Sequence, residues 1–470
     1  MEAGIIGRMK RALSAAILPV FPAALLLLSC QPARDHRMNG AWRGEMRNGW
    51  IPVRLAGSPE QIGYQHGFLL AKEIEDALAV TRLTLEHDSK RDWQFFRKTA
   101  QEILWPKVPD EYQREIRAMS EGLKRAGVSA DYLDLTVLNA NIELGYYVTW
   151  LDGGGKSAAP DKCSAFVATG SWTRDGQPVI AHNNWSGYLE GARWNIIFDI
   201  RPERGHRILM DGFPGFIHSG DDFGINSAGL AITETTITGF RGFDPEGVPE
   251  FARARQAMQY ASSIDEFAAF MIRGNNGGYA NAWLVADTRR NEIGRLELGL
   301  KNVILERSKD GYFAGANFPV SPKLAAEETV FPMNDSSVSA NARRARWEQL
   351  MPEFRGRIGL EEAKRFMADH YDAYEKKPDS PSERTLCGHV DLSPRGMKPW
   401  QDEYGPAGAV QSKAADARMI RAMELEAAMG HACGLHFRAE EHLKKYPQYG
   451  WMKPLLRDLP AQPWTRFRTD

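Results

Sequence analysis

The texture of this chain changes at Cys163, and that change limits the folds open to it. Upstream, apolar residues recur mostly at helical spacing; from Cys163 onward they alternate, as half-buried strands require. Before the switch, Ile51–Leu55 reads as a strand. Ser58 then caps a helix, with Pro59 at its first position, Gln61 completing a capping box, and Ile62, Phe68, Leu69, Ile74 and Leu78 on its apolar face. Further helices are predicted over about 91–104, 110–126 (stopped by Gly127) and 130–147. Gly153-Gly154-Gly155 and the segment to Pro160 form a loop directly before Cys163. After the switch, hairpins are predicted over 164–171 with 178–182 and over 194–200 with 206–210. Strands follow at 224–226, 230–237, 282–287, 293–297, 303–306 and 313–314, and helices at 249–271, 338–351, 360–371 and 413–429. Neither a repeat nor a linker stands out. Residues 50–470 therefore read as one α+β domain, two antiparallel sheets between helical layers, with a helical segment 50–162 and a catalytic segment 163–470.

The 470 residues are 43% hydrophobic and 25% charged, enough for a large core. A net charge of -1 gives no overall field that would draw the chain to nucleic acid or to anionic membranes. The first 30 residues stand apart. Arg8, Lys10 and Arg11 precede an apolar stretch from Ala12 to Ser29, and Leu27-Leu28-Ser29-Cys30 follows the pattern of a lipoprotein signal. This predicts export to the periplasm or cell envelope, with Cys30 acylated and residues 31–49 as a polar tether; simple signal cleavage nearby is the alternative. Of the other cysteines, Cys387 and Cys433 either pair as a disulfide in an oxidising compartment or stay apart. No ligand spacing of a structural zinc site is visible along the sequence, and none of the chemistry read here calls for a cofactor or a metal.

Cys163 opens the run Asp161-Lys162-Cys163-Ser164-Ala165-Phe166-Val167, and Ala181-His182-Asn183-Asn184-Trp185 returns beside it after the turn at Asp175-Gly176. A buried core cysteine would fit a strand equally well. The loop before it favours a nucleophile freed by self-cleavage at Lys162-Cys163. A thiol of pKa about 8.5 and an α-amine of about 7.7–8.0 are nearly matched, so the amine can take the proton of its own thiol. The same sulfur can first attack the Lys162 carbonyl in an N-to-S shift, which explains maturation without a protease.

These segments resemble the phospholipase B-like family of N-terminal nucleophile (Ntn) hydrolases. The likeness runs through Cys163-Ser164-Ala165, Ala181–Ser186, Phe213-Pro214-Gly215, Ser219–Phe223, Ser227–Leu230, Glu234-Thr235-Thr236-Ile237, Gly278–Trp283, Ala316–Pro319 and Gly388–Leu392. Val53–Gly67, with Gly63-x-Gln65-His66-Gly67, is similar to the related acyltransferases that process penicillin precursors. The resemblance implies an αββα Ntn sandwich. It implies that Cys163 is the nucleophile, with His182 and Trp185 on the returning strand where bile-salt and penicillin V hydrolases carry an Arg and an Asp. Those two charges are missing here. It further implies a polar role for Thr236, an oxyanion-hole amide for Asn317 and an active-centre cation for Arg343, with Arg346 as a neighbouring candidate. A strand threonine, a turn asparagine and a solvated basic face would read the same way. Asp221-Asp222 reads as a turn rather than a metal pair, and His431 and His436 as structural.

The resulting expectation is a self-cleaving hydrolase acting on an acyl ester or linear amide through a cysteine thioester, with phospholipid as the substrate the resemblance implies. Hydrolysis or acyl transfer of N-acyl compounds, and a non-enzymatic lipid-binding lipoprotein, are the alternatives. There is no Gly-x-Ser-x-Gly elbow of a serine lipase.

Overall fold

The computed structural model describes residues 35–153, 163–220, 223–398 and 400–469. Residues 1–34, on which the expected export signal and Cys30 fall, the segment 154–162 with Lys162, and Asp221-Asp222 lie outside the described residues. From Arg37 onward the chain forms one compact unit.

Two sheets organise it. The first runs in the order β1 (Trp42–Arg43), β2 (Ile51–Gly57), β5 (Ile196–Pro202), β6 (Ile208–Gly212), β7 (Gly224–Asn226), β8 (Leu230–Thr236), β9 (Asn281–Asp287), β10 (Glu292–Leu298), β11 (Val303–Ser308). The second runs β12 (Gly311–Gly315), β3 (Cys163–Thr169), β4 (Val179–Gly187), β13 (Ala407–Asp416), β14 (Glu424–Met429), β15 (Thr465–Arg468). Every pairing is antiparallel except β2 with β5, which is parallel and departs from the purely antiparallel expectation. The helices are α1 (Pro59–Leu69), α2 (Ala71–Ser89), α3 (Trp93–Thr99), α4 (Asp110–Arg125), α5 (Tyr132–Asn139), α6 (Asn141–Leu151), α7 (Tyr188–Gly191), α8 (Glu250–Tyr260), α9 (Ile264–Ile272), α10 (Pro322–Glu328), α11 (Ser339–Glu353), α12 (Leu360–Met367), α13 (Ala417–Arg421) and α14 (Ala439–Lys445).

Alternation along β3 sets the layers, because successive side chains leave a strand on opposite faces. Ala165 and Val167 enter the core between the sheets, with Leu209, Ile225, Ala231 and Leu284. Phe166 and Ala168 turn the other way, onto Trp347 and Leu350 of α11 and Phe366 of α12. The far face of the first sheet, through Ile196, Phe198, Ile232 and Trp283, packs on Ile62, Ile74, Met119 and Leu138 from the helices before Cys163. The order is helix, sheet, sheet, helix, the four-layer α+β sandwich anticipated above. Among the described residues no helix is long and apolar enough to cross a membrane.

The start of α1 forms as its sequence dictates. Ser58 accepts from the Gln61 N–H, and the Gln61 side chain returns to the Ser58 N–H. One turn on, Gln65 Oε1 accepts from Ala56 N at 2.7 Å while its Nε2 donates to Ala56 O at 2.9 Å, so a side-chain amide pairs with β2 as a neighbouring strand would. α1 also meets α4 without side chains between them. A Cβ on Gly63 would lie 1.9 Å from Glu115 O, one on Gly67 2.0 Å from Met119 O, and one on Gly122 2.2 Å from Tyr64 O.

Five expectations need correction. The helix read from Pro59 through Leu78 is two: α1 ends at Leu69, Leu70 leaves the helical conformation, and Ile74 and Leu78 belong to α2. The stretch 413–429 is not one helix. Its alanines favour helix locally, but residues 407–416 are a buried strand between β4 and β14, and only α13, capped by Asp416, remains helical. The helix expected over 249–271 is two, because Ser263 starts a new helix by accepting from Glu266 N. The helix expected over 130–147 likewise divides at Ala140. The tether assigned to 31–49 is too long: Trp42 and Arg43 pair with β2, and Arg43 forms a two-pronged ion pair with Glu73 at 2.6 and 2.9 Å.

Candidate active site

Cys163 is the first residue of β3 and is 1% exposed. Its backbone is held at both ends. The nitrogen donates to Asn317 Oδ1 at 3.0 Å, and the carbonyl accepts from Arg343 Nη1. In the ladder with β4, Cys163 faces Asn184 and Ala165 faces His182. Directly paired residues share a face, so the thiol and the His182 ring lie on one side of the sheet. Sγ is 3.9 Å from Glu234 Oε1, on β8 of the other sheet. Sγ, a His182 ring nitrogen and a Glu234 carboxylate oxygen all lie within 4.8 Å of one another.

Glu234 was quoted above within a family-like motif but given no role. The Tyr279 hydroxyl donates to its Oε1 at 2.8 Å, and the Asn281 amide, oriented by its partners, donates to its Oε2 at 2.8 Å. Tyr279 and Asn281 also belong to a quoted motif, Gly278–Trp283, that carried no functional assignment. The available signal was a carboxylate in a strand, Leu230-Ala-Ile-Thr-Glu-Thr-Thr, that is buried throughout, since an ionisable group in such a place needs partners. The Thr236 hydroxyl donates to Tyr279 Oη at 3.3 Å. Thr235 points elsewhere, against Gly315, where an added Cβ would sit 2.4 Å from its Oγ1.

Asn317 clamps the two sheets. It adopts φ +70, in the left-handed region that asparagine tolerates better than most residues. Its Oδ1 receives Cys163 N and, at 3.0 Å, Arg343 Nη2, while its Nδ2 donates to Thr236 O at 2.9 Å. The orientation differs from the one the resemblance implies. The amide oxygen faces the nitrogen of Cys163, and the NH₂ group is engaged by a β8 carbonyl.

Arg343 is fully buried on α11. Besides Cys163 and Asn317 it contacts Ser164 Oγ at 3.2 Å and Ser339 Oγ at 3.1 Å, and its guanidinium lies 4.2 Å from the centre of the Trp185 ring. Its neighbours do not join it: Arg344 pairs with Glu348 and Arg346 with Asp369. Trp185 stands on the far side of β4, packed with Val390, Met397, Ala407 and Ala409. It supports Arg343 from below and is not grouped with the thiol. Gly388, at φ +70, lies flat on its ring, with room for no side chain: a Cβ would come within 2.1 Å of a ring carbon. The six residues singled out from sequence thus divide. Cys163 and His182 meet at the sulfur, Asn317 and Arg343 hold the backbone of Cys163, Thr236 joins through Tyr279 and through its carbonyl, and Trp185 is a support.

A cavity of about 340 Å³ is lined by Tyr146, Thr149, Trp150, Gly153, Phe240, Arg241 and Gly242. Burial, and then the nearby charge of Glu234, push the Tyr146 phenol well above its ordinary pKa, which ties this wall of the cavity to the carboxylate.

A second group of soft ligands was not foreseen. His370, Cys387, His389 and Cys433 bring one ligand atom each within 4.8 Å of one another, although their spacing resembles no metal motif. Cys387 and Cys433 are free thiols rather than a disulfide. His431 stacks on His389 with ring centres 3.9 Å apart, and His436 Nδ1 accepts from Ala461 N at 2.9 Å, both structural roles.

The phospholipase B family profile matches residues 112–299, which include Cys163, His182 and Glu234 but not Asn317 or Arg343. An "uncharacterized protein" of Archaeoglobus fulgidus is 28% identical over 57% of this chain and 45% of its own length. The "phospholipase B" of Crotalus adamanteus is 25% identical over 59% of this chain and 55% of its own. The matched region is about half the length of these curated relatives. A solved variant of the conjugated bile acid hydrolase of Clostridium perfringens aligns with 57% of this chain and 89% of its own at 11% identity, with a TM-score of 0.34. The likeness to the phospholipase B-like family read from the motifs is thus shown over residues 112–299, and the chain is a relative of those proteins.

Proposed function

We propose that this chain is a self-processing hydrolase whose Cys163, once it is chain-terminal, takes the acyl group from a phospholipid ester. The observation that carries the reading is the treatment of the Cys163 backbone. Any buried residue needs partners for its N–H and its C=O, but those of a merely structural strand cysteine come from neighbouring strands rather than from an amide side chain and a buried guanidinium. Here both are present, and they fix the one residue whose nitrogen and sulfur must work together. The phospholipase B-like relatives supply the substrate class.

In maturation, Sγ attacks the Lys162 carbonyl, the peptide shifts from nitrogen to sulfur, and one water cleaves the thioester. The products are a Lys162 carboxylate and a free Cys163 α-amine. In turnover the amine takes the thiol proton and the thiolate attacks the ester carbonyl. The alcohol leaves with the proton from the ammonium, and water then releases the fatty acid. Asn317 Oδ1 accepts from the amine in both its states. Glu234, fixed by Tyr279 and Asn281, stabilises the ammonium, as the carboxylate missing from β4 would have done. The aromatic cavity of Tyr146, Trp150 and Phe240 is suited to the acyl chain. Cys30 acylation would hold the exported protein at a lipid surface.

The test uses the full chain and Cys163→Ala. N-terminal sequencing of the fragments should find one that begins at Cys163 and is absent in the variant. Processed protein should release fatty acid from phosphatidylcholine vesicles, and the variant none. Full turnover by Cys163→Ala would end this reading. Cleavage of N-acyl amino compounds with no action on the vesicles would retain the nucleophile and replace the substrate.

A further inference from the structure

We propose that His370, Cys387, His389 and Cys433 form a structural site for a zinc-class divalent ion. The group is separate from the Cys163 centre. It gathers the loop after α12, the segment leading into β13 and the turn after β14. His370 Nε2 is 3.2 Å from His389 Nε2, and Cys433 Sγ is 3.5 Å from His389 Nε2. A tetrahedral ion with bonds of about 2.05 Å to nitrogen and about 2.3 Å to sulfur has edges of about 3.3 Å between nitrogens and about 3.6 Å between nitrogen and sulfur. The two measured edges match. A two-thiolate, two-imidazole set is soft and neutral around a divalent ion, and with four protein ligands it is closed, as structural sites are.

The surroundings are those of ligands held in place. His370 Nδ1 lies 3.2 Å from Asp379 Oδ1, the carboxylate-to-imidazole contact that turns the opposite nitrogen toward a metal. The Leu435 N–H donates to Cys433 Sγ at 3.5 Å, a contact that favours a thiolate. Asn183 Nδ2 donates to Met367 O and to Leu386 O, both at 2.8 Å, and so ties the segments that carry His370 and Cys387 to β4. Asp391 and His431 also lie near His389, but both are engaged by the Tyr188 hydroxyl, at 2.8 and 2.9 Å. Between Cys387 and His389 stands Gly388, the residue that lies on Trp185 beneath Arg343, so the ion would anchor the segment that braces the active-centre cation.

The test is metal analysis of the full chain, expressed with zinc in the medium and purified without chelator. One zinc per chain is expected, in wild type and equally in Cys163→Ala, which separates this site from the cluster at the nucleophile. Cys387→Ser and Cys433→Ser should lose the metal. Because those variants could fold poorly, a second measurement uses wild type alone. Exchange with cobalt should give the visible bands of a tetrahedral site together with thiolate-to-cobalt charge transfer, and a chelator should lower the urea midpoint. A folded wild-type chain without zinc, a Cys387–Cys433 disulfide found by mass, or zinc retained in the double serine variant would each overturn the proposal.

Discussion

Arg343→Met removes the cation that holds the Cys163 carbonyl while keeping much of its volume. Four oxygens lose a charged donor: Cys163 O, Asn317 Oδ1, Ser164 Oγ and Ser339 Oγ. A buried acceptor deprived of its partner costs about 1–3 kcal/mol, and the contact with Trp185 contributes about 0.5–2 kcal/mol. The hydroxyls can turn to other partners, so the carbonyl and the ring set the scale, roughly 1.5–5 kcal/mol of stability. The effect on rate follows from position. If the head of β3 moves by an ångström, about 100-fold in kcat is lost, with little change in KM. Arg343→Lys keeps the charge, but a single ammonium cannot span the carbonyl and the Asn317 amide as a planar fork does, so it should fall between wild type and Met. Urea unfolding followed by tryptophan fluorescence gives the stability, and vesicle hydrolysis by the processed protein gives the rate. A Met variant within about 0.5 kcal/mol of wild type, the scatter of ordinary surface changes, and with unaltered processing and kcat would refute the assignment of Arg343 as the clamp.

Glu234→Gln keeps an acceptor for the Tyr279 hydroxyl and removes the charge near the sulfur, so the protein should fold as before while kcat/KM falls by about 100-fold or more, as for loss of an acid–base partner; equal activity would remove Glu234 from the mechanism. His66 gives a pH signature of stability. Burial, then the Arg255 charge, push this imidazole down to about 3, and it accepts from Gly215 N at 3.0 Å. The unfolded chain takes up that proton near pH 6.5, the folded chain only near the lowered value, so stability is lost as pH falls below 6.5, at about 1.4 kcal/mol per unit. Unfolding free energies between pH 6.5 and 5 should therefore drop by about 1.6 kcal/mol from this group alone, and His66→Gln should flatten that limb; identical slopes in the two proteins would contradict it.

Some of this was legible in the residues and some was not. The Ser58–Gln61 cap and the head of β3 could be read because the relevant partners lie within a few positions in sequence. The centre around Sγ could be read only in part. Cys163 and His182 meet through a hairpin, but Glu234 comes from the other sheet, and nothing local marks a glutamate as reaching across. Arg343, Arg344 and Arg346 look alike in sequence; packing alone turns the first inward and leaves its neighbours to pair with Glu348 and Asp369. The 413–429 error has the same origin, because burial between two strands outweighed the helix preference of alanine. The His370–Cys433 group was invisible because its ligands come from three separate segments.

The bare contact between α1 and α4 has an evolutionary corollary. Where two backbones touch through Gly63, Gly67 and Gly122, there are no rotamers to absorb a substitution, so even alanine would force the pair apart. Diversification of this scaffold must then proceed elsewhere, leaving that seam as a fixed hinge-pin around which the rest of the helical layer can vary.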